Sequence, residues 1–156
     1  MPRRARTLKR DIIPDAKYRS ATVSRLIAKV MLNGKKRTAE SIVYGALEIL
    51  GQNVSKDPVA ALEQAVRNAT PLLQVKPRRV GGATYQVPVE VQPDRGLFLA
   101  LTWLVSSARA KKGRAMKNKL AEELTDAHQG QGVTIKKRED THRMAEANRA
   151  FAHYRW

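Results

Sequence analysis

The apolar residues of this chain change their period once, and that change bounds the architecture. Up to about Pro71, and again beyond Pro93, they recur every three or four positions, the spacing of one helix face; between them Tyr85, Val87, Val89 and Val91 alternate with Thr84, Gln86, Pro88 and Glu90. Such a chain is mainly α with one β element inserted. Val23, Leu26, Ile27, Val30 and Met31 mark a first helix from Ser20, for which Asn33-Gly34 offers a left-handed stop. Ala39, Ile42, Val43, Ala46 and Leu50 mark a second, from near Lys36 to Gly51, where the same C-cap chemistry is expected to end it. Asp57-Pro58 sets a capping carboxylate before a proline at the first helical position of a third, which carries Val59, Leu62, Val66 and Ala69. A fourth helix after Pro93 presents Leu97, Ala100, Leu101, Leu104 and Val105, and a fifth runs from Met116 through Leu120 and Leu124. The segment 134–156 is expected as a C-terminal helix with only a thin stripe, Met144, Ala147, Phe151 and Tyr154, whose end can pack on the core or on a partner.

The alternating stretch, with Leu73, Val75 and the basic run to Arg79 before it, predicts a two-stranded hairpin over 72–91 that turns at Gly81-Gly82. Pro77 and Pro88 have no N–H to give a ladder, so neither strand can be central in a wider sheet. A lone hairpin is marginal in water, so this one is expected to lean on the helices and protrude from them. The whole reads as a mainly α fold: a bundle of about six helices, a protruding two-stranded β-hairpin and a basic N-terminal arm at 1–18, in one domain over 1–156.

Charge then narrows the function. Thirty Lys and Arg against fourteen Asp and Glu give a net charge of +16, and the pI is near 10.7. A polyanion, most simply a nucleic acid, is the natural partner. The cations are clustered where the backbone turns or ends. Arg3, Arg4, Arg6, Lys9 and Arg10 occupy the arm, Lys35, Lys36 and Arg37 the first inter-helix turn, and Lys76, Arg78 and Arg79 the hairpin. Arg109, Lys111, Lys112, Arg114, Lys117 and Lys119 run together with no carboxylate among them. Cations at the start of the fifth helix oppose its macrodipole and cost stability unless phosphates lie opposite them. Gly81-Gly82 lets a ligand approach the backbone, and Tyr85 can either stack on a base or sugar or pack its ring on the bundle.

Catalysis has little support. The chain has no cysteine, which excludes disulfides, thiolate metal sites and a cysteine nucleophile and fits a reducing compartment. His128, His142 and His153 are scattered, and His142 with Glu146 lacks the further ligands of a zinc site, so a surface hydrogen bond is the expected role. No Walker-type phosphate loop occurs, and no cofactor or metal is expected. No apolar stretch of signal-peptide or membrane-spanning length follows the basic start, so a soluble, cytoplasmic protein without a membrane partner is expected. The competing classes are an RNA-cleaving or RNA-modifying enzyme and a free basic nucleic-acid regulator.

Three motifs carry a resemblance. Lys76-Pro-Arg-Arg-Val-Gly-Gly-Ala-Thr-Tyr-Gln-Val-Pro-Val-Glu-Val91 resembles the hairpin of the bacterial-type seventh protein of the small ribosomal subunit. Met31-Leu-Asn-Gly-Lys-Lys36 resembles that family's first inter-helix turn, and Met144-Ala-Glu-Ala-Asn-Arg-Ala-Phe-Ala-His-Tyr-Arg-Trp156 its C-terminal helix. The resemblance implies six helices with an extended hairpin. It also implies a primary binder of small-subunit ribosomal RNA that docks on the 3′ major domain, nucleates the head, and lies beside exit-site transfer RNA and the messenger path. The transfer-RNA side implied is Arg78, Arg79, Gly81, Gly82, Tyr85, Arg149, Tyr154 and Trp156; the implied protein neighbours are the ninth and eleventh small-subunit proteins. Repression of its own messenger RNA, known of some bacterial members, is a further possibility the resemblance raises.

Overall fold

A computed structural model describes residues 11–54 and 57–154. The expected arm cations Arg3, Arg4, Arg6, Lys9 and Arg10, and Trp156, lie outside the described residues. Among the described residues, six helices, α1 (Ala21–Val30), α2 (Lys36–Val54), α3 (Pro58–Ala69), α4 (Pro93–Ala110), α5 (Met116–His128) and α6 (Val133–Ala147), accompany an antiparallel hairpin of β1 (Leu73–Val80) and β2 (Ala83–Glu90), inserted between α3 and α4, and a 3-10 turn over Arg149–Tyr154 follows α6. The fold is mainly α with one hairpin, as the change of period requires.

The apolar faces meet in one core. Leu26 of α1, Leu47 and Leu50 of α2, Leu62 of α3, Leu101 and Leu104 of α4, and Leu120 and Leu124 of α5 are essentially inaccessible to water. The α5 helix sits centrally, packed on α2, α3 and α4. The Asp57 carboxylate accepts the Ala60 N–H at 3.0 Å and Pro58 opens α3, as the pair of residues predicts. Ahead of α1, the buried Asp15 accepts the N–H groups of Lys17 and Tyr18 and, at 2.7 Å, the Tyr44 hydroxyl of α2. That hydrogen bond, with burial second, pushes the Tyr44 phenol up to about 12.

Three helix ends differ from expectation. The α1 helix ends at Val30, because Met31 turns extended, and Asn33 and Gly34 take their positive φ in the turn beyond. Its last carbonyls are served from another helix: the Arg109 guanidinium of α4 donates to the oxygens of Lys29 and Val30. Gly51 does not end α2, which continues to Val54. A helical glycine costs about 1 kcal/mol relative to alanine, and the packing of Ile49 and Val54 on the core offsets it. The helix expected over 134–156 is broken at Asn148, whose side-chain amide and backbone N–H both donate to the Met144 carbonyl. The chain then tightens into the 3-10 turn and brings Phe151 onto Tyr85, ring centroids 5.2 Å apart.

Gly81 and Gly82 both have positive φ, as a two-residue hairpin turn demands, and a Cβ on either would meet nothing. The base of the hairpin packs on α6, and Val87 is fully buried. Its tip stands clear.

Candidate nucleic-acid interface

Arg109 organises the basic surface. Because its guanidinium, in the last turn of α4, reaches the last residue of α1, the α1–α2 turn and the α4–α5 turn emerge at the same end of the bundle. Lys35, Lys36 and Arg37 lie at the start of α2, Lys112 and Arg114 in the α4–α5 turn, and Lys117 lies on α5 against Gly45 of α2. Both turns lead into helix N-termini with no acid in the first turn, and Ala115, at the N-cap of α5, has no side chain to cap it. Unsatisfied N–H groups and cations then point the same way, an arrangement that attracts anions.

The structure divides the predicted cations by occupation. Lys35, Arg37, Lys112 and Arg114 are exposed, as are Lys36 and Lys117; among the described residues, Lys35, Arg37, Lys112, Lys117 and Lys119 have no carboxylate within ion-pair reach. Lys36 makes a long pair with Glu40 at 3.6 Å, and Arg114 one with Glu122 at 3.8 Å; exposed pairs of this kind contribute little and yield readily to a phosphate. Lys111 is different. Its ammonium lies 3.2 Å from the buried Glu123, 3.5 Å from Asp126 and 3.7 Å from Glu122. Burial alone would lower its pKa, but the contact with Glu123, reinforced by Glu122 and Asp126, carries it above its usual 10.5. Lys111, half-buried among carboxylates, and Arg109, exposed but bonded to the end of α1, are therefore engaged within the protein, although the sequence groups them with the other cations.

On the hairpin, register separates two residues that the sequence lists together. Arg78 pairs with Tyr85 and Arg79 with Thr84, so the two arginines emerge on opposite faces. Arg79 is exposed with Gly81 and Gly82 at the tip, whereas Arg78 is half-buried. Tyr85 is also half-buried, its ring against Phe151. Lys76 is exposed and lines a groove between the hairpin and the start of α4, with Arg95 on the other wall. Arg149 is exposed at the head of the 3-10 turn that Tyr154 closes.

His142 makes the surface hydrogen bond expected of it: its Nε2 accepts the Leu72 backbone N–H at 3.0 Å and ties α6 to the foot of the hairpin. Sequence reasoning passed over several other residues that shape this surface. The Arg138 guanidinium donates to the Asn68 carbonyl, joining α6 to α3. Lys29 and Arg95 flank the exposed ring of Phe98. Charge was the signal these residues gave: Lys29 and Arg95 stand apart from the runs, and Arg138 closes the short run Lys136-Lys137-Arg138, which was not singled out. No group of three His, Cys, Asp or Glu side chains among the described residues could hold a metal. Among the described residues no helix is long and apolar enough to cross a membrane.

Known proteins resemble this chain along its length. Residues 2–149 match the family model described as ribosomal protein S7p/S5e. A small ribosomal subunit protein uS7 of Dictyoglomus thermophilum is 60% identical over 156 residues, 100% of both chains. Its counterparts in Thermotoga neapolitana and Dehalococcoides mccartyi are 59% identical over 154 residues, 99% of each chain, and 54% identical over 156 residues, 100% of each. Members are structural ribosomal proteins and not enzymes. The chain belongs to the ribosomal protein S7p/S5e family.

Proposed function

We propose that the chain is a structural constituent of the small ribosomal subunit in the cytoplasm, a primary binder of the 3′ major domain of its ribosomal RNA that nucleates assembly of the head. The observation that carries this reading is that the Arg109 bond to Val30 brings two basic turns to one end of the bundle, where Lys35, Arg37 and Lys112 have no carboxylate partner among the described residues and the start of α5 has no side-chain cap. That end supplies phosphate contacts from Lys35, Lys36, Arg37, Lys112, Arg114, Lys117 and Lys119, and the arm cations Arg3, Arg4, Arg6, Lys9 and Arg10 add more. The hairpin tip, with Arg79, Gly81 and Gly82, and the C-terminal turn lie toward exit-site transfer RNA and the messenger path, with the ninth and eleventh small-subunit proteins as neighbours. Where its own messenger RNA copies the same junction, the protein represses it.

The test is binding to a folded three-dimensional junction of small-subunit ribosomal RNA against a random duplex of equal charge. The junction competes better, because RNA is read by shape as well as charge, and affinity falls about three orders of magnitude between roughly 50 and 200 mM salt. A nearly salt-independent affinity, or no preference for the junction, overturns the proposal. Sedimentation of cell extract separates it from a free regulator, which stays at the top of a sucrose gradient while a subunit protein tracks the small particle.

A further inference from the structure

One aromatic ring is set apart from both the core and the basic turns. Phe98, on α4, keeps 43% of its surface exposed, although the helix has a buried face only a few residues away. A single exposed apolar side chain is ordinary. What surrounds this one is not. The Lys29 ammonium of α1 sits 3.3 Å over the ring centroid, covering one face, and the Arg95 guanidinium carbon lies 5.0 Å from the same centroid. Among the described residues neither cation has a carboxylate within ion-pair reach. Burial, and then the like charge of Arg95, lower the Lys29 pKa from its usual 10.5, so the two cations are held close beside the ring.

The ring opens onto a shallow cleft of about 250 Å³ between α1 and α4, lined by Ile12, Arg25, Lys29, Asp94 and Leu97. Its lining is mostly apolar. Cationic groups at the edge of an aromatic surface are what a nucleotide requires: a π-face for the base and positive charge for the phosphate attached to it. An apolar peptide would cover the ring but leave Lys29 and Arg95 uncompensated, and an acidic peptide would satisfy the cations but waste the ring.

Resting on the reading of this chain as an RNA binder, we propose that Phe98, flanked by Lys29 and Arg95, is a stacking platform for one unpaired nucleotide of RNA. The base lies against the exposed part of the ring and its phosphate is shared by the two cations. Lys29 is parked on the ring by cation–π attraction until the phosphate takes it. This contact is separate from the phosphate surface of the two basic turns, and it reads the presence of a base where that surface reads only charge.

The experiment compares the full-length protein with Phe98→Ala, Phe98→Leu and Phe98→Trp variants, using hexaadenylate and an abasic ribose-phosphate hexamer of equal charge as probes. Electrostatic binding to the basic turns is common to both probes, so their affinity ratio isolates stacking. The wild-type ratio should favour hexaadenylate, Phe98→Trp should keep it, and Phe98→Ala and Phe98→Leu should cut it about fivefold or more. Phe98→Leu keeps the apolar bulk, so its loss of preference is specific to the π-face; unchanged thermal unfolding checks that all three variants fold. Lys29→Gln with Arg95→Gln should weaken both probes and flatten their salt dependence. A base preference that survives Phe98→Ala and Phe98→Leu overturns the platform. So does a defect confined to incorporation among other small-subunit proteins, with the probe ratio unchanged, because the ring then docks protein. If the wild type still binds the ribosomal RNA junction in those cases, only the platform falls; if it binds neither junction nor probes, the underlying RNA-binding reading falls with it.

Discussion

The Glu123 carboxylate accepts both the backbone N–H and the hydroxyl of Thr134, at 3.1 and 2.7 Å, and so pins the first turn of α6 to the buried face of α5. Thr134 adds a contact to Ser107 of α4, and Lys111 closes the network from the surface side. Thr134→Val removes a hydroxyl at nearly constant volume and should cost about 1 to 3 kcal/mol. Glu123→Ala leaves Thr134 and Lys111 without their acceptor and should cost more, about 3 to 5 kcal/mol. Lys111→Met should therefore lower the denaturation midpoint with little loss of RNA affinity, whereas Lys112→Gln and Lys117→Gln should do the reverse. Denaturant titration beside RNA binding checks the split. Equal affinity losses for Lys111 and Lys112 variants would return Lys111 to the RNA surface.

Leu101 is 1% exposed at the centre of α4. Leu101→Ala opens a cavity that the surrounding helices cannot fully close, at a cost of about 2 to 5 kcal/mol. RNA affinity should fall only as far as the unfolded fraction requires. An affinity loss in protein that circular dichroism shows to be fully folded would contradict this.

What was legible beforehand follows from how local the signal is. The helix faces of Val23 to Val30 and Leu97 to Val105, the Asp57-Pro58 start and the Gly81-Gly82 turn are written in spacing and in backbone chemistry, which few neighbours can override. The end of α2 was not, because Gly51 is a weak stop once Val54 finds a core to cover it. The break at Asn148 depends on a bond back to Met144 and on Tyr85 waiting in another element for Phe151. The basic surface was legible as clusters and not as roles. Lys111 and Lys112 are adjacent in sequence, yet one closes an internal network and the other is exposed, and only the fold brings Glu123 to the first. One clue was available: Glu123 falls on the apolar stripe of α5, between Leu120 and Ala127, where a carboxylate needs partners.

His142 makes the anchoring of the hairpin pH-dependent. Its Nε2 can accept the Leu72 N–H only while unprotonated, and burial, with Arg138 second, lowers its pKa from the usual 6.5. Glu90, Glu146 and Arg149 also line the cleft beside it. Because the folded state resists the proton that the unfolded chain accepts, the contribution to stability is complete above pH 6.5 and is lost progressively as pH falls below it. At neutral pH His142→Ala should cost about 0.5 to 1.5 kcal/mol. His142→Gln, which keeps an acceptor that does not titrate, should lose less stability than wild type between about pH 7 and pH 5. Unfolding midpoints at each pH decide it; parallel curves for wild type and His142→Gln would exclude the imidazole as the source.

The hairpin tip and the basic end of the bundle should give separable defects. A Cβ on Gly81 or Gly82 would meet nothing, and Arg79, Ala83 and Thr84 are exposed, so excising the tip over 79–84 should cost the fold little. An Asn-Gly turn inserted between Arg78 and Tyr85, which already face each other in the ladder, closes the shortened hairpin with the geometry its twist demands. Thermal unfolding should be nearly unchanged. Primary binding to ribosomal RNA draws on cations distributed over both basic turns, so the loss of Arg79 subtracts one contact from many and the head should still assemble. The defect should appear later, in the hold on exit-site transfer RNA or in frame maintenance, because an extended arm can reach beyond the RNA that the bundle covers. Small subunits reconstituted with the shortened protein, checked for occupancy, should release exit-site transfer RNA faster or shift frame more often than wild type. Collapse of head assembly with a folded variant would show that the tip belongs to primary binding, and unchanged release and frameshifting would show that it has no part at the exit site.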